Sequence, residues 1–106
     1  KITSLPHTVG ALSGLQVMRL DHNELGQLPD SMAKLLSLQE LVLAHNLLTD
    51  LFSGLGKLKK VELLDVSYNK LDALPFELSE IAALKRLEVV GNPMRFPPAE
   101  IVAGGT

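Results

Sequence analysis

Displaced by 23 residues, the sequence falls into register with itself: Leu15, Leu38, Val61 and Leu84 head equivalent segments. Three complete units follow, 15–37, 38–60 and 61–83, and a terminal unit over 84–106 drifts from the pattern in its second half. Ahead of them, residues 1–14 form a partial unit in which Ile2, Leu5, Pro6, Val9 and Leu12 fill the last slots of a preceding repeat. The shared pattern is L-x-x-L-x-L-x-x-N-x-L-x-x-L-P-x-x-L-x-x-L-x-x. Leucine takes 23 of the 106 positions while aromatics make up only 4%, so one residue type serves many equivalent core slots. One unit alone has too few apolar side chains to offset the conformational entropy of ordering itself. Units must therefore stack and share a core, which makes the molecule a solenoid. No linker breaks the register, so residues 1–106 read as a single domain.

Each part of the pattern dictates a local structure. The L-x-L core (Leu41 with Leu43, Leu64 with Val66, Leu87 with Val89) has period two, the mark of a short strand with one buried face. Stacking such units side by side yields a parallel sheet. Asn23, Asn46, Asn69 and Asn92 then stand polar among apolar neighbours, where an amide can satisfy backbone groups as the chain turns off the strand. Pro29 and Pro75 end the extended stretch and open a short helical turn. The closing L-x-x-L, as in Leu55 and Leu58, sets two apolar groups on one face of that turn.

This consensus resembles the leucine-rich repeat family over nearly the whole chain, and the four asparagines at one spacing carry the match. The 23-residue unit and its LPxxL element resemble the intracellular subclass of plant Ras-group and Roco-type repeat arrays. The ending GNPMRFPPAEIV, with Gly104 and Gly105, resembles the last repeat of such arrays, where a closing segment covers the core. Two departures stand out. Phe52 replaces the expected proline and reads as an enlarged core filler, and Pro97 replaces a leucine where the regular turn is abandoned. The expected fold is α/β: a leucine-rich repeat solenoid with a curved parallel sheet on the concave side and short helices or 3-10 turns on the convex side.

Charge and composition exclude several functions. A formal net charge of −2 gives no basic footprint for nucleic acid. No apolar run reaches the roughly 18 residues of a membrane span, and the first residues do not form a signal peptide. Without cysteines there are no disulfides, thiolate zinc sites or cysteine nucleophiles. The four asparagines also lie outside any glycosylation sequon, and both absences fit an intracellular, cytoplasmic protein. The Gly104-Gly105 pair is no phosphate loop, because no strand, loop and lysine-bearing helix surround it. The missing initiator methionine leads to the expectation of a piece cut from a longer protein.

Strand side chains alternate, so the residues flanking each buried L-x-L should form columns on a solvated concave face. The first column is Val17, Glu40, Leu63 and Arg86, and the second is Arg19, Val42, Asp65 and Glu88. The third is Asp21, Ala44, Ser67 and Val90, and beside it run His22, His45, Tyr68 and Gly91. Val17, Val42, Leu63 and Val90 are expected to form an apolar patch that a partner covers. Glu40, Asp65 and Glu88 set an acidic tone that either steers a basic partner or is absorbed by pairing across strands with Arg19 and Arg86. His22 and His45 lie one rung apart, yet only Asp21 and Tyr68 stand nearby and two histidines rarely make a metal site. No metal or cofactor is expected, and His45 is placed to stack on Tyr68.

No nucleophile, base and orienting acid recur at a familiar spacing, so the chain reads as a non-enzyme. The leading function is a protein-interaction scaffold in intracellular signalling, with Val17, Arg19, Asp21, Glu40, Val42, Ala44, Leu63, Asp65, Ser67, Tyr68, Arg86, Glu88 and Val90 facing the partner. The resemblance implies a small GTPase or another signalling protein as that partner. The alternative is a regulatory repeat segment of a larger enzyme, a Roco GTPase, kinase or cyclase, with its chemistry outside this chain. Carbohydrate fits less well, since stacking aromatics are scarce on the face. Exposed solenoid ends, above all the strand around Val17 to Asp21, add an expectation of self-association.

Overall fold

The computed structural model describes residues 1–94. Pro97, Gly104, Gly105 and the remainder of the expected closing segment lie outside the described residues. Four three-residue strands, β1 (Val17–Arg19), β2 (Glu40–Val42), β3 (Leu63–Asp65) and β4 (Arg86–Glu88), form one sheet in chain order. All neighbours are parallel, and the register runs Val17 to Glu40 to Leu63 to Arg86 without a slip. Such a register follows from the repeat, because every unit spends the same number of residues leaving the sheet and returning to it.

The return path carries the 3-10 turns η1 (His7–Ala11), η2 (Asp30–Lys34), η3 (Leu55–Lys57) and η4 (Phe76–Glu80). Pro6, Pro29 and Pro75 cap three of them in an extended conformation, as a residue with a fixed φ and no N–H should. The unit with Phe52 differs. Its side chain is buried in the core, and η3 starts only after Gly54, which takes a left-handed φ of 86° against the Ala33 side chain. Phenylalanine supplies volume where proline would have set the backbone, and the glycine compensates by turning the chain later.

Between sheet and turns lies one continuous apolar core. Leu25, Met32, Leu35, Leu38, Leu41, Leu43, Leu48, Leu55, Leu58, Val61 and Leu64 are fully buried. Leu87 and Val89, expected there too, are half-buried against its edge. The asparagines run through this core as a second ladder. Asn69 donates its amide to the carbonyls of Leu43, Val66 and Ser67 at 2.9–3.2 Å, and its Oδ1 accepts from the Leu48 N–H at 3.0 Å. Asn46 repeats this with Leu20, Leu43, Ala44 and Leu25. Leu43 and Leu48 belong to the unit before Asn69, so each asparagine closes its own turn and also fastens the preceding unit. Even the partial unit joins in, the Ile2 N–H donating to Asn23 Oδ1 at 2.9 Å.

Candidate partner-binding face

The strands set the first two columns directly. Val17, Glu40, Leu63 and Arg86 are successive register partners, and so are Arg19, Val42, Asp65 and Glu88. Arg19 reaches across to Glu40 with a 3.2 Å contact, and Arg86 Nε donates to Glu88 Oε2 at 2.7 Å along one strand. Asp65 Oδ1 accepts from both the N–H and the hydroxyl of Ser67, at 3.0 and 2.6 Å. Pairing within the face therefore engages most of its charge. The Arg86 guanidinium is held above its ordinary range by its hydrogen bond and charge contact with Glu88, and Asp65 adds to the same field.

The apolar members do not form the single wet patch expected of them. Val17 and Val90, 45% and 60% exposed, sit at opposite ends of the array, while Val42 and Leu63 between them are half-buried. The third column needs a correction as well. Asp21 and Val90 are exposed, but Ala44 and Ser67, placed on the solvated face by alternation, are buried at 6%. Both follow their strand where the chain turns into the asparagine, and both side chains are short. Ser67 is also held under the Asp65 carboxylate, and neither residue offers a partner much surface.

The fourth column carries a feature that the sequence reading only touched. The His22, His45 and Tyr68 rings form one continuous stack, with centroids 4.4 and 4.5 Å apart and planes within 11° of parallel. All three residues are left-handed, with φ of 59°, 58° and 55°, and Gly91 continues the column at 82°. Their N–H groups donate to Ala44, Ser67 and Val90, so each unit's backbone fixes the next ring at strand spacing. Gly91 closes the ladder because its Cα lies against the Tyr68 ring, where any side chain would collide. That glycine, in the same column as two histidines and a tyrosine, was the available signal. Parallel rings at this spacing aim their in-plane lone pairs side by side, whereas a shared ion needs them to converge about 2 Å away. Among the described residues no group of three His, Cys, Asp or Glu is placed to hold a metal, and no helix is long and apolar enough to cross a membrane.

A leucine-rich repeat family model matches residues 1–48 and 37–94, the same residues that build the sheet, the turns and the asparagine ladder. The chain belongs to the leucine-rich repeat family. Among solved structures, this leucine-rich repeat chain is similar to a leucine-rich repeat protein of Leptospira interrogans, with 34% identity and a TM-score of 0.90. The match covers 99% of the chain but 26% of the Leptospira protein, so the repeats seen here span about a quarter of that relative. No curated protein matches. Leucine-rich repeats generally mediate protein–protein interaction, and the fold is a non-catalytic binding module.

Proposed function

We propose that this chain holds a protein partner against the β1–β4 face and the ring ladder beside it, as a scaffold in intracellular signalling. The observation that carries this reading is preorganisation. Arg19, Glu40, Arg86, Glu88 and Asp65 are already fixed by one another or by Ser67, and the rings of His22, His45 and Tyr68 are fixed by stacking. Side chains immobilised before contact lose less rotamer entropy when a partner arrives. Tyr68, half exposed and rigid, has the character of an interface anchor. The 23-residue LPxxL units support assignment to the subclass of Ras-group and Roco-type arrays, a small GTPase or related signalling protein as partner, and a cytoplasmic setting.

A second reading makes the chain the regulatory repeat segment of a larger signalling enzyme, a Roco GTPase, kinase or cyclase. What supports this version is the same 23-residue LPxxL unit, and in it catalysis lies in other domains. Both readings place the partner on the same face. The test is capture from extracts of the source cell by the wild type, by a face variant (Arg19→Glu, Tyr68→Ala, Glu88→Lys) and by a convex variant, Phe76→Ser, at a residue 86% exposed on η4. We expect proteins captured by the wild type and the convex variant to be lost from the face variant while all three melt cooperatively. Equal capture by the face variant would remove the face from the mechanism.

A further inference from the structure

Two exposed columns run along the edge where the chain leaves the sheet, one on each side of the asparagine column. The first is the ring ladder of His22, His45 and Tyr68, and the second, two residues further on, is Glu24, Leu47 and Lys70. The second column is also held at strand spacing, because its N–H groups donate to the carbonyls of Ile2, Leu25 and Leu48 at 2.8–2.9 Å. Glu24 and Lys70 therefore stand two rungs apart, roughly 10 Å. Among the described residues neither has an ion-pair partner. Leu47 lies between them, 45% exposed.

Both columns become their own complement when the order of the rungs is reversed. With a second copy turned over about a two-fold axis in the middle rung, Glu24 meets Lys70, Lys70 meets Glu24, and Leu47 meets Leu47. The same turn sets the Tyr68 hydroxyl, a donor, against the His22 imidazole, an acceptor when neutral. His45 meets its own image, where one neutral ring can donate to the other. Centring on either neighbouring unit would instead set Glu24 or Lys70 against itself, so the pattern selects the unit 38–60. We propose that this edge pairs with a second copy of the chain, in an antiparallel dimer whose two-fold axis passes through the unit 38–60. The β1–β4 columns stay open in that dimer, which therefore goes beyond the partner reading, and only the ring ladder is common to both. Further along the chain the same axis sets the exposed Asp50 against its own image, so the contact stays small. An interface below about 1,200 Å² makes a weak dimer, with Kd of about 0.1–1 mM expected.

The test is sedimentation equilibrium of the wild type and charge-reversed variants up to about 2 mM, above the expected Kd. The wild type should fit a monomer–dimer equilibrium, and amide shifts that grow with concentration should fall at His22, Glu24, Leu47 and Lys70. Glu24→Lys sets lysine against Lys70, and Lys70→Glu sets glutamate against Glu24, so each alone should associate about tenfold more weakly or worse. Mixed in equal amounts, the two variants should associate with each other at least as tightly as the wild type with itself, because every carboxylate then faces a lysine. Neither change disturbs a contact within the fold. Leu47→Asp, which brings two carboxylates together on the axis, should weaken association independently. A wild type still monomeric at about 2 mM would overturn the dimer. So would variants that associate like the wild type, a mixture that does not associate, or shifts confined to β1 and β4. None of these outcomes bears on capture of a partner through β1–β4, which the face variant tests separately.

Discussion

His45 shows what a single position in this chain has to reconcile. Its backbone is left-handed, which costs a residue with a Cβ about 1–2 kcal/mol, and glycine would avoid that cost as Gly91 does. In return the ring stacks on both neighbours, and each aromatic pair contributes about 0.5–1.5 kcal/mol beyond burial. Stacking and strain are thus of similar size, which explains how side chains persist where the backbone prefers none. His45→Ala keeps the strain and loses both stacks, so it should destabilise by about 1–3 kcal/mol in chemical denaturation. His45→Gly loses the same stacks but relieves the backbone, and should be about 1 kcal/mol more stable than His45→Ala. The order is informative because glycine ordinarily loses to alanine through unfolded-chain entropy. If His45→Gly proves the less stable of the two, the left-handed cost has been overstated.

At the level of elements, sheet spacing is imposed by hydrogen bonds, while turn spacing depends on how closely η1 to η4 can approach. Gly10 in η1 packs directly on Ser31 in η2, and a Cβ there would meet the Ser31 carbonyl oxygen at 2.5 Å and its Cβ at 2.8 Å. Backbone cannot swing aside as a long side chain can, so Gly10→Ala should separate the two turns and cost about 1–3 kcal/mol. Gly14, with open space around its missing Cβ, is the control: Gly14→Ala should change the melting free energy by less than about 1 kcal/mol, in either direction. Similar losses at both sites would show that turn packing does not set the spacing. These contacts mark where sequence reading stops. Strands, asparagine bonds and proline-capped turns were legible because each follows from local periodicity and donor–acceptor counting. The stagger of η3 after Phe52, the left-handed fourth column and the burial of Ala44 and Ser67 were not. They depend on how neighbouring units lean on one another, and alternation along one strand does not contain that. For the face itself, the columns of Val17 and Arg19 were readable from spacing, whereas the pairing of Arg86 along its own strand instead of across the sheet required coordinates.

Across the whole molecule, the stack predicts how a local injury spreads. Among the described residues the sheet and turn packing runs between consecutive units, so stability is a chain of neighbour interfaces and damage should be graded by position. Asn69 and Asn23 occupy the same slot in different surroundings. Asn69 is buried at 6% and binds Leu43 and Leu48 in the preceding unit as well as Val66 and Ser67 in its own. Asn23 is half-buried, donates to Leu20 and Asp21, and accepts only from the partial unit through Ile2. Replacing Asn69 by alanine orphans the buried Leu48 N–H, which costs about 1–3 kcal/mol, and takes one of two hydrogen bonds from each of the Leu43, Val66 and Ser67 carbonyls, so a total loss of about 3 kcal/mol is expected. Replacing Asn23 strands partners that water can reach, and about 1 kcal/mol is expected. Hydrogen exchange separates the two cases better than a melting curve. Asn23→Ala should free the Ile2 and Glu24 amides and leave those of Leu43, Val66 and Tyr68 protected. Asn69→Ala should lower protection at those three and also at Leu20 and His22, two strands away, because the middle interface holds both halves. Protection that falls only within a residue or two of position 69 would mean that the units stand independently, and the stack would then be a row of separate modules with no shared core.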